Sequence, residues 1–329
     1  MMEGGGYCNS MASCSDRSKH SQPFTSSKQW SKTLSGEGIT SLSHADNKLF
    51  SDANIIRIPY CSQDLWLGNT KQRVGDHTFH FKGSQIISQT VQYMLKARRL
   101  KRGSEVIIAG SSAGGIGVIN NIDAIGRQIR KRNRTIKIRG LVDSGYFILK
   151  NSVQREELRK SLEFWDVKPN VKCLEKHSSP TECTIGHDAI NAVKSDLFII
   201  QFAFDNYQLL QDMKHNATTS KTRNNSLPAL YSNVPMLSPQ FIKTYRQDHF
   251  SLLCRQMRLI KKATTFTIAN WRSFQHVVLN RPNWLEFDNG KIELKTAIQC
   301  WRHNGSRGRC KRYKSKLKLS CRRRTSSFN

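Results

Sequence analysis

Acidic residues are scarce in this chain. Against 53 Lys and Arg stand 24 Asp and Glu in 329 residues, a formal net charge of +29. Long apolar runs are also missing: none approaches the roughly 20 residues that a membrane span needs. The opening "MMEGGGYCNS" has neither a basic n-region nor an apolar h-region, so no signal peptide can be read in it. No CxxC pair and no Cys/His spacing suggests a zinc site. There is no internal repeat and no nucleic-acid-binding motif. Together these absences argue against a membrane span, a zinc domain, a repeat array and a dedicated nucleic-acid reader.

Nine cysteines are present. Cys8/Cys14 and Cys173/Cys183 are close pairs in polar surroundings, as short disulfide loops would be. N-x-S/T sequons stand at Asn133, Asn216, Asn224 and Asn304. Cysteines and sequons together favour an oxidising, secretory setting. The excess positive charge is densest at the end, where "RGRCKRYKSKLKLSCRRR" (307–324) reads as a disordered basic tail. Such a tail suits a polyanion, heparan sulfate outside a cell or nucleic acid inside it, or is simply solvated.

Along the chain, residues 1–50 are Ser- and Gly-rich and read mostly as loop. "NIIRIPY" (54–60) reads as a buried strand and 84–100 as a helix, with Ile87, Val91, Met94 and Leu95 on one face. Then come a strand (105–110), a helix (113–129), a strand (136–145), and an irregular, Cys-containing insertion (146–195) with the character of a cap. "LFIIQFAF" (197–204) is a continuous apolar strand, as in a sheet covered on both faces. Residues 214–238 read as loop. A long helix (238–262) follows, with Ser238 as N-cap and Pro239 at its first position, and "TTFTIAN" (264–270) is a last strand. Alternation of this kind implies a mostly parallel α/β sheet.

Between the strand at 105–110 and the helix at 113 lies "GSSAG" (110–114), a G-x-S-x-G turn. In that context it is a nucleophile elbow with Ser112 at its tip. No G-K-[ST] follows, so it is not a P-loop. A serine nucleophile needs a base and the base an orienting acid, in the chain order Ser, acid, His. Asp205 directly follows a late strand and is the candidate acid; Asp143, one strand after the nucleophile, ranks second. His276, shortly after the last strand, is the candidate base. His303, at the edge of the basic tail, is the alternative, and His249 inside the long helix is read as structural. The N–H groups of Gly4 and Gly5 in "EGGGYC" (3–8), with that of Ala113, are the candidate oxyanion donors. The rival view of 3–8 is a loose terminus.

"EGGGYC", "IPYCSQDLWLGN", "GSSAGGIGVINNID", "RGLVDSGYF", "FDNYQL", "HVVLNRPNW" and "AIQCW", in this order from Glu3 to about His303, resemble the pectin acetylesterase/Notum family of α/β-hydrolases. "FHFKG" (79–83) is nearer its plant branch, most other motifs nearer its animal branch. The resemblance implies an α/β-hydrolase domain over 1–303, with a mostly parallel central sheet and inserted cap segments, followed by the basic tail over 304–329. It puts the nucleophile on Ser112, the acid on Asp205, the base on His276 and the oxyanion donors on Gly4, Gly5 and Ala113. It implies a secreted carboxylesterase without metal or cofactor. For the animal branch the substrate is the palmitoleoyl ester on Wnt proteins, with heparan sulfate on the basic surface and no nucleic acid. Polysaccharide deacetylation and a catalytically impaired, polyanion-binding isoform are the rival expectations.

Three departures stand out. The chain starts inside the oxyanion loop, which suggests an N-terminally truncated sequence. Asp196 stands where the family has a cysteine, and a second expected cysteine is missing from "ANWRSFQ", so a disulfide of the family looks lost here. The tail does not match the usual Cys-rich C-terminus.

Overall fold

The α/β alternation of the sequence appears as a parallel sheet in the order β3-β4-β5-β6, made of Glu105–Ser111, Lys137–Asp143, Asp196–Phe202 and Ala263–Ile268. The computed structural model describes residues 1–74, 77–97, 100, 103–217, 238–261, 263–268 and 274–303. The basic tail, the sequons at Asn224 and Asn304 and most of the expected 214–238 loop lie outside the described residues.

Strands adjacent in sequence are adjacent in space, and the registers hold their C-terminal ends level: Ser111 lies beside Asp143, and Asp143 beside Ile200. Ligand sites in open α/β sheets form at this end. On the free edge of β3, Met2 bridges in parallel both to Gly110 and to Ile58. The Met2 N–H donates to Ala109 O at 2.8 Å, and the Ile58 N–H donates to Met1 O at 2.8 Å. The segment read as a buried strand at 54–60 thus contributes one bridge. Its Asn54, Ile56 and Arg57 are exposed, so the apolar run has only one partner to pair with.

Helix α3 (Ala113–Arg130) packs on β3 and β4. Its glycines permit close approach: a Cβ on Gly114 would lie 2.2 Å from Met2 O, and one on Gly115 2.9 Å from Gly145 Cα. Helix α2 (Gly83–Lys96) covers α3. The opposite face is closed by Phe198, Phe266, Trp284 and Trp301, the last on α9 (Leu294–Arg302). Both faces are covered, which is why β5 is apolar at nearly every position.

Three parts differ from the sequence reading. The N-terminal region contains a helix, α1 (Met11–His20), capped by Ser10, whose hydroxyl accepts the Ser13 N–H. An antiparallel hairpin, β1 (Thr70–Val74) and β2 (His77–Phe81), precedes α2. The insertion at 146–195 holds α4 (Ser152–Phe164), α5 (Val171–His177) and α6 (His187–Ala192) rather than irregular chain. Disulfides join Cys8 to Cys14 and Cys173 to Cys183; Cys254 and Cys300 are also disulfide-bonded. Helix α7 (Asn206–Ala217) follows β5, and α8 (Pro239–Arg258) begins at Ser238, whose hydroxyl accepts the Phe241 N–H at 3.2 Å.

Candidate active site

Ser112 sits between β3 and α3 with φ 55° and ψ −120°. A non-glycine residue there is strained by about 1–3 kcal/mol, which only an over-determined surrounding sustains. Here the Ser112 N–H donates to Asp143 O at 2.8 Å, and its carbonyl accepts the Ile116 N–H at 3.1 Å. A Cβ on Gly110 would lie 2.2 Å from Gly114 O, so the small residues of G-x-S-x-G are a packing requirement.

Asp205 follows β5 and opens α7. Its carboxylate is fully buried; Oδ1 accepts the Gln208 N–H at 3.0 Å, and Oδ2 lies 2.7 Å from His276 Nδ1. A carboxylate only accepts, so Nδ1 donates, and Nε2 is left as the basic nitrogen. His276 Nε2 is buried and has no hydrogen-bond partner among the described residues. Burial pulls the imidazole pKa down, but the charge and hydrogen bond of Asp205, with the charge of Asp143, outweigh it and leave it raised. Tyr207 stacks on the ring at 5.4 Å, and Phe147 lies 6.2 Å away. The loops carrying acid and base hold each other: Asp205 bridges to Gln275, and the Gln275 N–H donates to Phe204 O at 3.1 Å.

Asp143, second in rank as acid, occupies another place. It is fully buried, with Oδ2 accepting the Ser111 hydroxyl at 2.8 Å and the N–H groups of Val278 and Leu279 at 2.8 and 2.9 Å. Its Oδ1 accepts the Ser144 hydroxyl, which itself accepts the Val277 N–H. Asp143 therefore ties the elbow to the loop just after His276. Val277 has φ 52°, and this network holds it there.

The loop at 3–8 is ordered by its carbonyls. Glu3 O accepts from Trp66 Nε1 at 2.9 Å, Gly5 O from the Arg17 guanidinium, and Cys8 O from Trp165 Nε1 at 3.0 Å. Gly4 packs on the elbow, where a Cβ would lie 2.9 Å from Ser112 Cβ. Gly6, which the motif reading passed over, lines a pocket with Ser112 and Ala113. The pocket is partly open to solvent, and its walls are mainly apolar: Tyr7, Leu65, Ile116, Phe147, Leu158 and Ile185. Only the three glutamines Gln154, Gln208 and Gln211 add polar side chains besides Ser112 and the tyrosines.

The other candidates take no part in the pairing of Asp205 with His276. His249 is buried in α8 and stacked on Tyr245 at 5.5 Å, with a pKa lowered by burial to about 4. His303 caps α9, its N–H donated to Gln299 O at 3.2 Å. Asn133 stands in the turn after α3, its side-chain oxygen accepting the Thr135 hydroxyl at 2.8 Å. Asn216 lies in α7. Among the described residues, no group of three or more His, Cys, Asp and Glu is placed to hold a metal ion, and no helix is long and apolar enough to cross a membrane.

Palmitoleoyl-protein carboxylesterase notum2 of Xenopus laevis is 28% identical over 317 residues, covering 91% of this chain and 60% of its own. The human palmitoleoyl-protein carboxylesterase NOTUM is 27% identical, with 91% and 59% covered. The Schmidtea mediterranea NOTUM is 33% identical over 223 residues, 63% of this chain and 42% of its own. The chain thus spans about 60% of the length of the first of these relatives. A crystal structure of the Wnt deacylase Notum from Drosophila superposes with a TM-score of 0.76 at 26% identity, over 92% of this chain and 83% of that one. This likeness makes the fold that of an α/β-hydrolase. The family profile Pectinacetylesterase matches residues 1–320, and the chain belongs to that family.

Proposed function

We propose that the chain is a serine carboxylesterase that removes a long acyl group from an ester on a protein, as the names of its Notum relatives state for them. The observation that carries this reading is the apolar pocket beside Ser112. Its walls are mainly apolar, which suits a fatty acyl chain, whereas a sugar acetylester would need more polar groups along them.

In this mechanism Ser112 Oγ attacks the ester carbonyl and His276 Nε2 takes its proton. Asp205 holds the imidazole in the required tautomer and stabilises its charge. The N–H of Ala113 and those of the glycine loop, Gly4 and Gly5 with Gly6 beside them, bind the oxyanion. The proton then passes to the leaving alkoxide. Water, activated by the same His, releases the acid from the acyl-enzyme. The catalytic domain would cover 1–303. The basic tail, 304–329, would hold a polyanion such as heparan sulfate. The paired cysteines fit an extracellular setting.

A series of 4-nitrophenyl esters from acetate to dodecanoate tests the reading. The expected kcat/KM rises with chain length, and Ser112→Ala abolishes hydrolysis with circular dichroism unchanged, a loss of several orders of magnitude. A preference for acetate would overturn the lipid reading in favour of the sugar one. Activity surviving in Ser112→Ala would remove the nucleophile.

A further inference from the structure

We infer that Arg17 is a positioning residue of the ester hydrolysis, fixing and polarising the Gly5–Gly6 peptide so that the Gly6 N–H serves as an oxyanion donor. This rests on the serine-esterase reading and adds to it a residue outside the triad.

Arg17 lies in the last turn of α1, where cations suit the helix dipole. Its guanidinium turns away from solvent and is half-buried. Among the described residues no carboxylate pairs with it. Instead Nη2 donates to Gly5 O, and Nε donates to the Gln63 side-chain oxygen at 3.2 Å. A full positive charge is thus directed at one carbonyl of the loop that faces the nucleophile. Gly5 and Gly6 have φ of 149° and 67°, the conformations that let the chain present this carbonyl to α1.

A trans peptide points its C=O and N–H in opposite directions. With Gly5 O committed to Arg17, the Gly6 N–H is aimed away from α1. No group accepts that N–H among the described residues. Gly6 itself lines the pocket beside Ser112 and Ala113. A side chain at Gly6 would meet the Tyr207 hydroxyl at 3.3 Å and Arg17 Nη1 at 3.5 Å, and Tyr207 stacks on His276. Arg17 and the tyrosine that stacks on His276 thus both border Gly6. A charge-assisted bond on the carbonyl makes the amide on the other side of the peptide a stronger donor. The Cys8–Cys14 disulfide holds α1 against the loop, so the guanidinium stays in reach.

The experiment compares the full chain with Arg17→Met and Arg17→Lys. It measures kcat and KM on 4-nitrophenyl decanoate and inhibition by two ligands. One is a long-chain trifluoromethyl ketone, which adds to the serine and places an oxyanion. The other is decanol, which fills the pocket without one. Arg17→Met is expected to lower kcat roughly 10- to 100-fold with KM nearly unchanged. The trifluoromethyl ketone should weaken by the same factor and decanol should not weaken. Arg17→Lys should recover part of both losses. If Arg17→Met does not fold, Arg17→Lys carries the test through the same parallel between kcat and ketone affinity. Unchanged kcat and ketone affinity, or ketone and decanol weakening together, would overturn the role of Arg17 while leaving the esterase intact. A wild-type chain that neither hydrolyses the ester nor binds the ketone would remove the esterase reading itself.

Discussion

Asp143 accepts the backbone N–H of Val278 at 2.8 Å, across 135 residues of sequence. The pairing joins the end of β4 to the loop that presents the base. A buried carboxylate beside the G-x-S-x-G turn thus fixes the loop after His276 without a hydrogen bond to the ring. Asp143→Ala should leave buried donors unpaired and cost at least about 2 kcal/mol of stability. Its kcat should fall because the His276 loop loosens. Asp143→Asn should recover most of the stability, since one amide oxygen can still accept both backbone N–H groups. Urea unfolding and steady-state kinetics on the three proteins check this; equal damage from Asn and Ala would contradict it.

The acid limb of the pH profile reports His276. The base must be neutral to act, so kcat/KM should fall as pH drops through its pKa, which the Asp205 pairing holds above the ordinary value of about 6.5. In Asp205→Asn the charge is gone and burial dominates, so the limb should move to lower pH while the plateau drops by about 10⁴. Folding has the matching sign. A raised folded pKa means that the native state favours the protonated ring. The pair therefore adds stability below the unfolded pKa and loses that contribution as pH rises through the folded one. A limb that stays in place in Asp205→Asn would disprove the assignment.

Arg139, itself buried, is the centre of a partly exposed ionic group on β4. It pairs with Glu105 at 3.1 Å and Asp196 at 3.0 Å, donates to Trp301 O at 2.8 Å, and lies over the Trp301 ring. Asp196, at the position where the family resemblance leads one to expect a cysteine, also accepts Trp301 Nε1 at 2.9 Å. Polar contacts thus join β4 and β5 to α9 in this chain. Arg139→Met should lower stability by roughly 1 kcal/mol, because Trp301 O loses its donor while Glu105 keeps Arg302 and Asp196 stays open to water. The check is a denaturant melt, with activity retained in the protein that remains folded. A loss above about 3 kcal/mol would mean that the two carboxylates are left stranded without their arginine.

Eleven of the 53 Lys and Arg fall in residues 301–329. Heparin affinity should therefore decline steeply with salt, and removal of 304–329 should reduce both the affinity and the salt slope. Hydrolysis of a small ester should be unchanged. Affinity that survives the deletion would assign binding to the charge on the folded body.

The G-x-S-x-G turn, β5 and the places of Asp205 and His276 after late strands were legible because each is local: an apolar run, a glycine turn, a titratable residue at a strand end. The hairpin at 70–81 was not, because its polar and basic residues are largely exposed and leave no apolar alternation to read. Helix α4 had a signal in Leu158 and Leu162, four apart and both buried, with Asn151 as cap, but the surrounding charge obscured it. The roles of Asp143 and Arg17 depend on partners brought together by the fold, and neither strand-end position nor helix spacing announces them. Gly6 is one glycine among three in "GGG", and only backbone geometry separates it from its neighbours.

The bridge between Asp205 and Gln275 makes the loops of Asp205 and His276 halves of a single clasp. Neither half is portable alone. A loop transplanted from a relative at one position would arrive without its counterpart and would misplace the residue it was meant to carry. Exchange of these loops among members of the family, by evolution or by engineering, should therefore succeed only when both are moved together.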